Sequence, residues 1–374
     1  MKNFNFFIIV IVILMCISPT HLFGNEEISQ EDISAKSVSL MDVSSGRILY
    51  EHNSDEILPM ASITKVMTAL VALEEGDLED KVTASESASN VEGSSIYLSK
   101  GETLTLEEML YGLMLESGND AAHAIAEYVS GSVPDFAQKM TDKAHKIGAK
   151  NSKFKNPHGL PAENHYTTAH DMTIIAKTAL NNEKLAEIVS TNEYTIPWPA
   201  NDDVKRRYLN NDNKLLDKLD ISDGVKTGWT DEAGRCLIFS ASVDGKQIVG
   251  TLLNASNMFQ DAENLINYSF DNFKQKKLLQ SGQLVRTVPV EGGRISNISL
   301  IASRDIVKPL KEEESESLSY NLKLPEQLKA PLDKHEVVGR IEIISQNDVI
   351  GEASLLTSRD VERSFFNRFF NLDW

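Results

Sequence analysis

Ser62-Ile63-Thr64-Lys65 sets a hydroxyl and an amine three residues apart. On a helix that step brings both side chains to one face, about one turn apart. A serine hydroxyl is a poor nucleophile until a base takes its proton. A lysine can be that base only when neutral, which burial or a nearby cation favours by lowering its pKa. If the pair opens a helix, the free N–H groups of the first turn also face developing negative charge. The spacing alone is common, since Ser152 and Lys155 share it. Two further elements give it meaning. Ser117-Gly118-Asn119 falls at a break between helical stretches, where a hydroxyl and an amide can project into a cleft. Lys226-Thr227-Gly228 stands at the end of a strand-like run, and its glycine lets a bound chain approach the backbone closely. Ser190-Thr191-Asn192 and Ser345-Gln346-Asn347 imitate the middle element, so the information lies in the ordered triple, each member in the context its role requires.

The surrounding pattern supplies those contexts. Val38, Leu40 and Val43, then Ile48 and Tyr50, read as two strands about the turn Ser44-Ser45-Gly46. Ile63, Val66, Met67, Leu70 and Leu73 recur at helical spacing until Gly76, which predicts a helix from about Ser62. Residues 104–148 are helical in period, with breaks at Gly118 and at 131–134, and form an α-helical insert. Strand patterns return at 224–227, 236–243 and 248–254, with Asp244-Gly245 as a hairpin signal, and 265–270 end a closing helix. After about Phe273 the helical period disappears, and short β-type runs such as 318–324 and 337–344 predict a small all-β domain at 277–357. Its acidic stretch, Glu312 to Glu316, is expected as a solvated loop.

The two ends of the chain differ from its body. Lys2 precedes an apolar run from Phe6 to Ile17 that is shorter than the roughly 20 residues a membrane-spanning helix needs. Residues 1–24 therefore read as an export signal with cleavage near Gly24, or alternatively as a short N-terminal anchor. At the other end, Val361, Phe365, Phe369 and Leu372 would share one face of a helix, and 358–374 is expected to be an amphipathic segment. That segment would lie on a membrane surface or dock on the β domain. The 374 residues carry 37 Lys and Arg against 55 Asp and Glu, a balance of −18 that disfavours nucleic acid as a partner. Cys16 and Cys236 cannot make a disulfide framework, and Cys236 is expected to be a packing residue. Dinucleotide, phosphate-loop, Gly-x-Ser-x-Gly and His-Glu-x-x-His motifs are missing, and His165 and His170 lack a third ligand pattern, so neither a cofactor nor a metal is expected.

The ordered triple resembles that of the low-molecular-mass penicillin-binding proteins, the serine-type D-Ala-D-Ala carboxypeptidases. The resemblance extends through Gly101-Glu102, Ser117-Gly118-Asn119-Asp120-Ala121, Asn156-Pro157-His158-Gly159-Leu160, His165-Tyr166-Thr167-Thr168-Ala169, Asp171-Met172 and Lys226-Thr227-Gly228-Trp229-Thr230-Asp231-Glu232-Ala233-Gly234. It implies an α/β (α+β) β-lactamase-like transpeptidase fold: a five-stranded antiparallel sheet flanked by helices, with the helical insert, over 25–276. In the mechanism it implies, Ser62 attacks the carbonyl between the terminal D-alanines of a peptidoglycan stem peptide, with Lys65 as general base. Ser117 relays a proton to the leaving amine, and Asn119 binds the substrate amide. Lys226 binds substrate and keeps Lys65 neutral, and Thr227 contacts the terminal carboxylate. The N–H groups of Ser62 and Trp229 form the oxyanion hole beside Gly228. β-Lactam antibiotics are implied as covalent inhibitors. The location implied is the outer face of the cytoplasmic membrane, held there by the C-terminal helix.

Residues 156–160, Asp171, His158 and His165 are expected to shape loops rather than to catalyse, because turn-type residues usually set backbone and the lysine already fills the role of base. Trp229 lines the cleft or belongs to the core. A β-lactamase shares the triple, but no Glu-x-x-Leu-Asn occurs between Ser117 and Lys226, and Gly118 stands where class A enzymes have Asp. A D,D-endopeptidase and a non-catalytic wall-binding protein of the same fold are the other readings.

Overall fold

The computed structural model describes residues 28, 30–200 and 203–364. The expected export signal lies outside them, as do residues 365–374. Alternating apolar residues build a five-stranded antiparallel sheet in the order Ile48–His52, Ser37–Asp42, Lys246–Leu253, Gly234–Val243, Ser222–Thr230. Ser37–Asp42 is buried along its whole length because helices cover both faces of the sheet. Lys65–Glu75 and Ala169–Leu180 pack on one face and Met258–Asn272 on the other. Asp244 and Gly245 sit at φ 50° and 75°, the pair of left-handed residues that a two-residue hairpin needs to match strand twist. Ser222–Thr230 is the outer strand, and among the described residues one of its edges has no strand partner.

The helical insert follows its sequence signals. Thr105 and Glu108 exchange side-chain and backbone hydrogen bonds in a capping box that starts Leu106–Met114. Asn119–Ser130 ends at Gly131, which adopts φ 74°. Ser132 caps Val133–Lys146, whose first turn holds Pro134. One element gave no sequence signal: Glu193–Ala200 pairs with Asp203–Asn210 as a hairpin, although Pro197 and Pro199 argue against a strand.

A second unit carries its own core, centred on Ile298, Leu300, Ile343 and Leu355. Its six-stranded sheet is joined by the pair Lys274–Leu279 and Ile306–Leu310, so its first strand spans the expected boundary at 276 and 277. Two expectations need correction here. Glu312–Glu316 is one turn of helix rather than a loop, because Glu314 accepts the Lys311 N–H and pairs with Arg47, in the turn before Ile48–His52. Arg47 also donates to the Pro309 carbonyl and lies over the Phe273 ring, tying the two units together. The expected terminal helix does not begin at 358, since residues 358–364 are not helical. Val361 bridges Leu332 and Arg363 bridges Gly293, because the Val361 side chain, 2% exposed, completes the β core.

Candidate active site

Ser62 lies in the 3₁₀ turn Ala61–Thr64, and the α-helix proper starts at Lys65, three residues later than the sequence spacing suggests. The tighter turn still aims both side chains at each other, with Lys65 Nζ 2.9 Å from Ser62 Oγ. Lys65 also donates to Asn119 Oδ1 and to the His158 carbonyl, each at 2.7 Å. Both of those oxygens are acceptors only. A neutral amine gives its two N–H groups to them, and its lone pair is left facing the serine hydroxyl. Burial holds Lys65 well below the ordinary lysine pKa, the charge of Lys226 adds to that, and Asp120 opposes it. The like-charge effect expected of Lys226 is therefore present, but second to desolvation.

Ser117 stands at φ 59° between Leu106–Met114 and Asn119–Ser130, nearly buried. This left-handed turn lets the following helix start at once, so that Asn119 reaches Lys65. Asn119 spends one of its two N–H donors on the Glu92 carbonyl at 2.7 Å, and the other has no acceptor among the described residues. Asp120 accepts from Ser95 Oγ at 2.6 Å and from the N–H groups of Ile96 and Leu98, bracing the loop that bears Glu92. Arg207 holds the same loop from the hairpin through Glu102 at 3.0 Å and the Tyr97 carbonyl at 3.3 Å.

Lys226 is 2% exposed, and burial brings its pKa down to about 8, with Asp212 opposing. Its ammonium donates to the Thr227 carbonyl at 3.1 Å. Gly228 faces the nucleophile turn so closely that a Cβ there would lie 2.8 Å from the Ser62 nitrogen and 3.0 Å from that of Ile63. Only a glycine lets the outer strand close on the turn. Trp229 is 62% exposed, which excludes the core reading.

The loop 156–160 completes the enclosure. Asn156 Oδ1 accepts the Gly159 N–H at 2.7 Å and its amide nitrogen donates to the Leu160 carbonyl, holding Gly159 at φ 92°. A Cβ on Gly159 would lie 1.9 Å from the Ala61 carbonyl oxygen, so the loop needs glycine to press on the nucleophile turn. His165 Nδ1 accepts the Lys155 N–H, so its proton resides on Nε2, which meets Thr64 Oγ1 at 3.0 Å. Burial lowers His158 to about 3 and His165 to about 4, so both are neutral, hydrogen-bonded loop residues. Asp171 holds the Asn151 N–H and the Ser152 hydroxyl, which accounts for the Ser152 and Lys155 decoy. Cys236 is fully buried and burial raises its thiol to about 11.

Sequence reasoning missed the carbonyls of His158 and Glu92, which no residue type encodes. It also missed Asp212 and Arg207, which belong to a hairpin and turn without a readable pattern.

Both units of the chain are similar to known proteins. The family model described as D-alanyl-D-alanine carboxypeptidase matches residues 25–257, and that of the penicillin-binding protein 5 C-terminal domain matches 273–363. The D-alanyl-D-alanine carboxypeptidase DacF of Bacillus subtilis is 34% identical over 91% of this chain and 90% of its own. Penicillin-binding protein 5 of Haemophilus influenzae superposes with a TM-score of 0.76 at 30% identity, covering 90% of this chain and 100% of the other. A Streptomyces K15 DD-transpeptidase variant matches at a TM-score of 0.60 and 32% identity, over 64% of this chain and 98% of its own. By its motifs, its fold and these likenesses, the chain belongs to the D-alanyl-D-alanine carboxypeptidase family of serine peptidases.

Proposed function

We propose that this protein removes the terminal D-alanine from peptidoglycan stem peptides through an acyl-enzyme on Ser62. The observation that carries this reading is the Lys65 amine, held by two acceptor-only oxygens with its third direction on Ser62 Oγ at 2.9 Å. That is the reach and orientation of a general base. Lys65 takes the hydroxyl proton as the oxygen attacks the carbonyl between the two D-alanines. The N–H groups of Ser62 and Trp229 receive the developing oxyanion. Ser117 passes a proton to the departing amine, and the remaining Asn119 donor binds the substrate amide. Lys226 and Thr227 hold the terminal carboxylate. Water then releases the shortened peptide.

A β-lactam presents its carbonyl to the same serine and is a covalent inhibitor on this reading. The site of action is the cell envelope. Export through residues 1–24 and retention at the outer face of the cytoplasmic membrane through the chain's last residues are part of the proposal, and the apolar and aromatic residues at the two ends support it. Among the described residues no helix is long and apolar enough to cross a membrane. The test is D-alanine release from a stem pentapeptide alongside covalent penicillin labelling. Ser62→Ala is expected to abolish both, and labelling that survives the substitution would refute the nucleophile.

A further inference from the structure

Ala61, the residue directly before Ser62, sits at φ 48°. A left-handed φ is unfavourable for a residue with a Cβ and persists only where the surroundings over-determine it. Two glycines make the space: a Cβ on Gly159 would meet the Ala61 carbonyl, and one on Gly228 would lie 3.2 Å from the Ala61 Cβ. Space alone does not hold an angle. The holding contact is a hydrogen bond from the Thr64 hydroxyl to the Ala61 carbonyl at 2.8 Å.

The direction of that hydroxyl is set by His165. The Lys155 N–H donates to His165 Nδ1 at 3.0 Å, and burial keeps the ring neutral, so the ring proton is on Nε2. Nε2 stands 3.0 Å from Thr64 Oγ1 and donates to it, which leaves the hydroxyl proton for Ala61. Thr64 is fully buried and His165 is 7% exposed, so the relay is shielded from water. The histidine is itself fixed in place. Tyr166 bridges Lys153, Thr167 bridges Leu58 in the stretch that leads into the nucleophile turn, and the Phe154 ring meets the imidazole edge to face. We infer that His165 is a positioning residue for the reaction, acting through Thr64 to hold Ala61 left-handed and so to fix where the Ser62 hydroxyl and N–H point. It touches neither substrate nor reacting atoms, and its role rests on the acyl-enzyme reading proposed above. If Ala61 turns back toward an ordinary φ, the peptide plane rotates and carries Ser62 away from Lys65 Nζ.

The test measures the rate of penicillin acylation, with kcat and KM for D-alanine release from a stem pentapeptide, in variants of the full chain. His165→Phe keeps a ring and removes the donor, and Thr64→Val keeps the shape and removes the hydroxyl. Misplacing a reacting group by about 1 Å costs on the order of a hundredfold, so a shift of about half that should slow acylation and kcat about tenfold in each. KM and the final labelling stoichiometry should stay where they were. Because the two side chains form one relay, the double variant should lose no more than either single one. His165→Gln, whose amide nitrogen can stand in for Nε2, and Thr64→Ser should recover most of the rate. Acylation at the wild-type rate in His165→Phe or in Thr64→Val, losses that multiply in the double variant, or a loss that Gln and Ser do not recover overturns the inference. A lower labelling stoichiometry at an unchanged rate marks poorer folding rather than a misplaced serine and overturns it too. Wild-type chain that neither releases D-alanine nor takes label defeats the acyl-enzyme reading itself. Normal wild-type activity that the His165 and Thr64 variants share defeats the positioning role alone.

Discussion

The two units of this molecule handle charge in opposite ways. The catalytic unit buries Lys65, Lys226, Asp120, Asp171 and the pair Arg207 and Glu102, each held by hydrogen bonds. Among the described residues the C-terminal β unit buries one charged residue, Glu342, and leaves pairs such as Arg294–Glu362 and Lys329–Glu291 in water. Burying a charge is expensive unless its partners are in place. A unit that does so repeatedly, beside one that does not, shows where desolvation serves chemistry. In the β unit apolar packing carries the core, with Glu342 paired to Lys323 and Arg340 at its edge. It contributes none of the site residues, and the Streptomyces relative shows that the fold exists in a shorter chain.

The contrast can be broken at several points. The largest effect is expected from Gly159→Ala, which drives a Cβ into the Ala61 carbonyl and displaces Ser62. Misplacing a reacting group by about 1 Å costs on the order of a hundredfold, so penicillin acylation should slow at least that much while the β unit keeps its structure. If acylation is unchanged, close packing of this loop does not position the nucleophile.

Arg207→Met comes next. It strands Glu102 in a buried setting and should lower unfolding stability by about 3–5 kcal/mol. In parallel denaturant titrations, Arg294→Met in the β unit should leave the midpoint where it was. Equal losses in the two would erase the distinction drawn here.

The pH profile of kcat/KM sharpens the comparison further. Lys226 must be protonated to hold a carboxylate, so activity should fall as pH rises through about 8. Lys65 must be neutral to act as base, so activity should also fall on the acid side, where Lys65 gains its proton. Lys226→Arg keeps its charge at all accessible pH and should remove the alkaline limb. A limb that persists belongs to another group. The smallest effect is expected for Arg47→Ala at the junction of the units, with D-alanine release changed less than about twofold, as for ordinary surface substitutions.

The elements that position Ser62 were legible because apolar periodicity and turn chemistry are local. The Asp244-Gly245 hairpin and the breaks at Gly118 and Gly131 fall where those signals lie. Signals failed where distant partners decide. Val361 scans as the first apolar position of a terminal helix, yet the β core claims it as a strand-like bridge. Glu312–Glu316 reads as a solvated run, but Glu314 finds Arg47 more than 260 residues away. The hairpin from Glu193 to Asn210 hides behind two prolines.

The sequence by itself determined which residues are proposed for the site and their order, because Ser62, Lys65, Ser117, Asn119 and Lys226 are chemistry written in residue types. It determined the glycines too, though not why they are needed. Only the tertiary structure decided that Lys65 is held well below the ordinary lysine pKa and which oxygens its amine meets. That outcome depends on burial, on a cation from a strand 161 positions away and on the carbonyl of His158. Backbone acceptors carry no residue code and desolvation is a property of the assembled fold, so neither can be read from the chain before it closes.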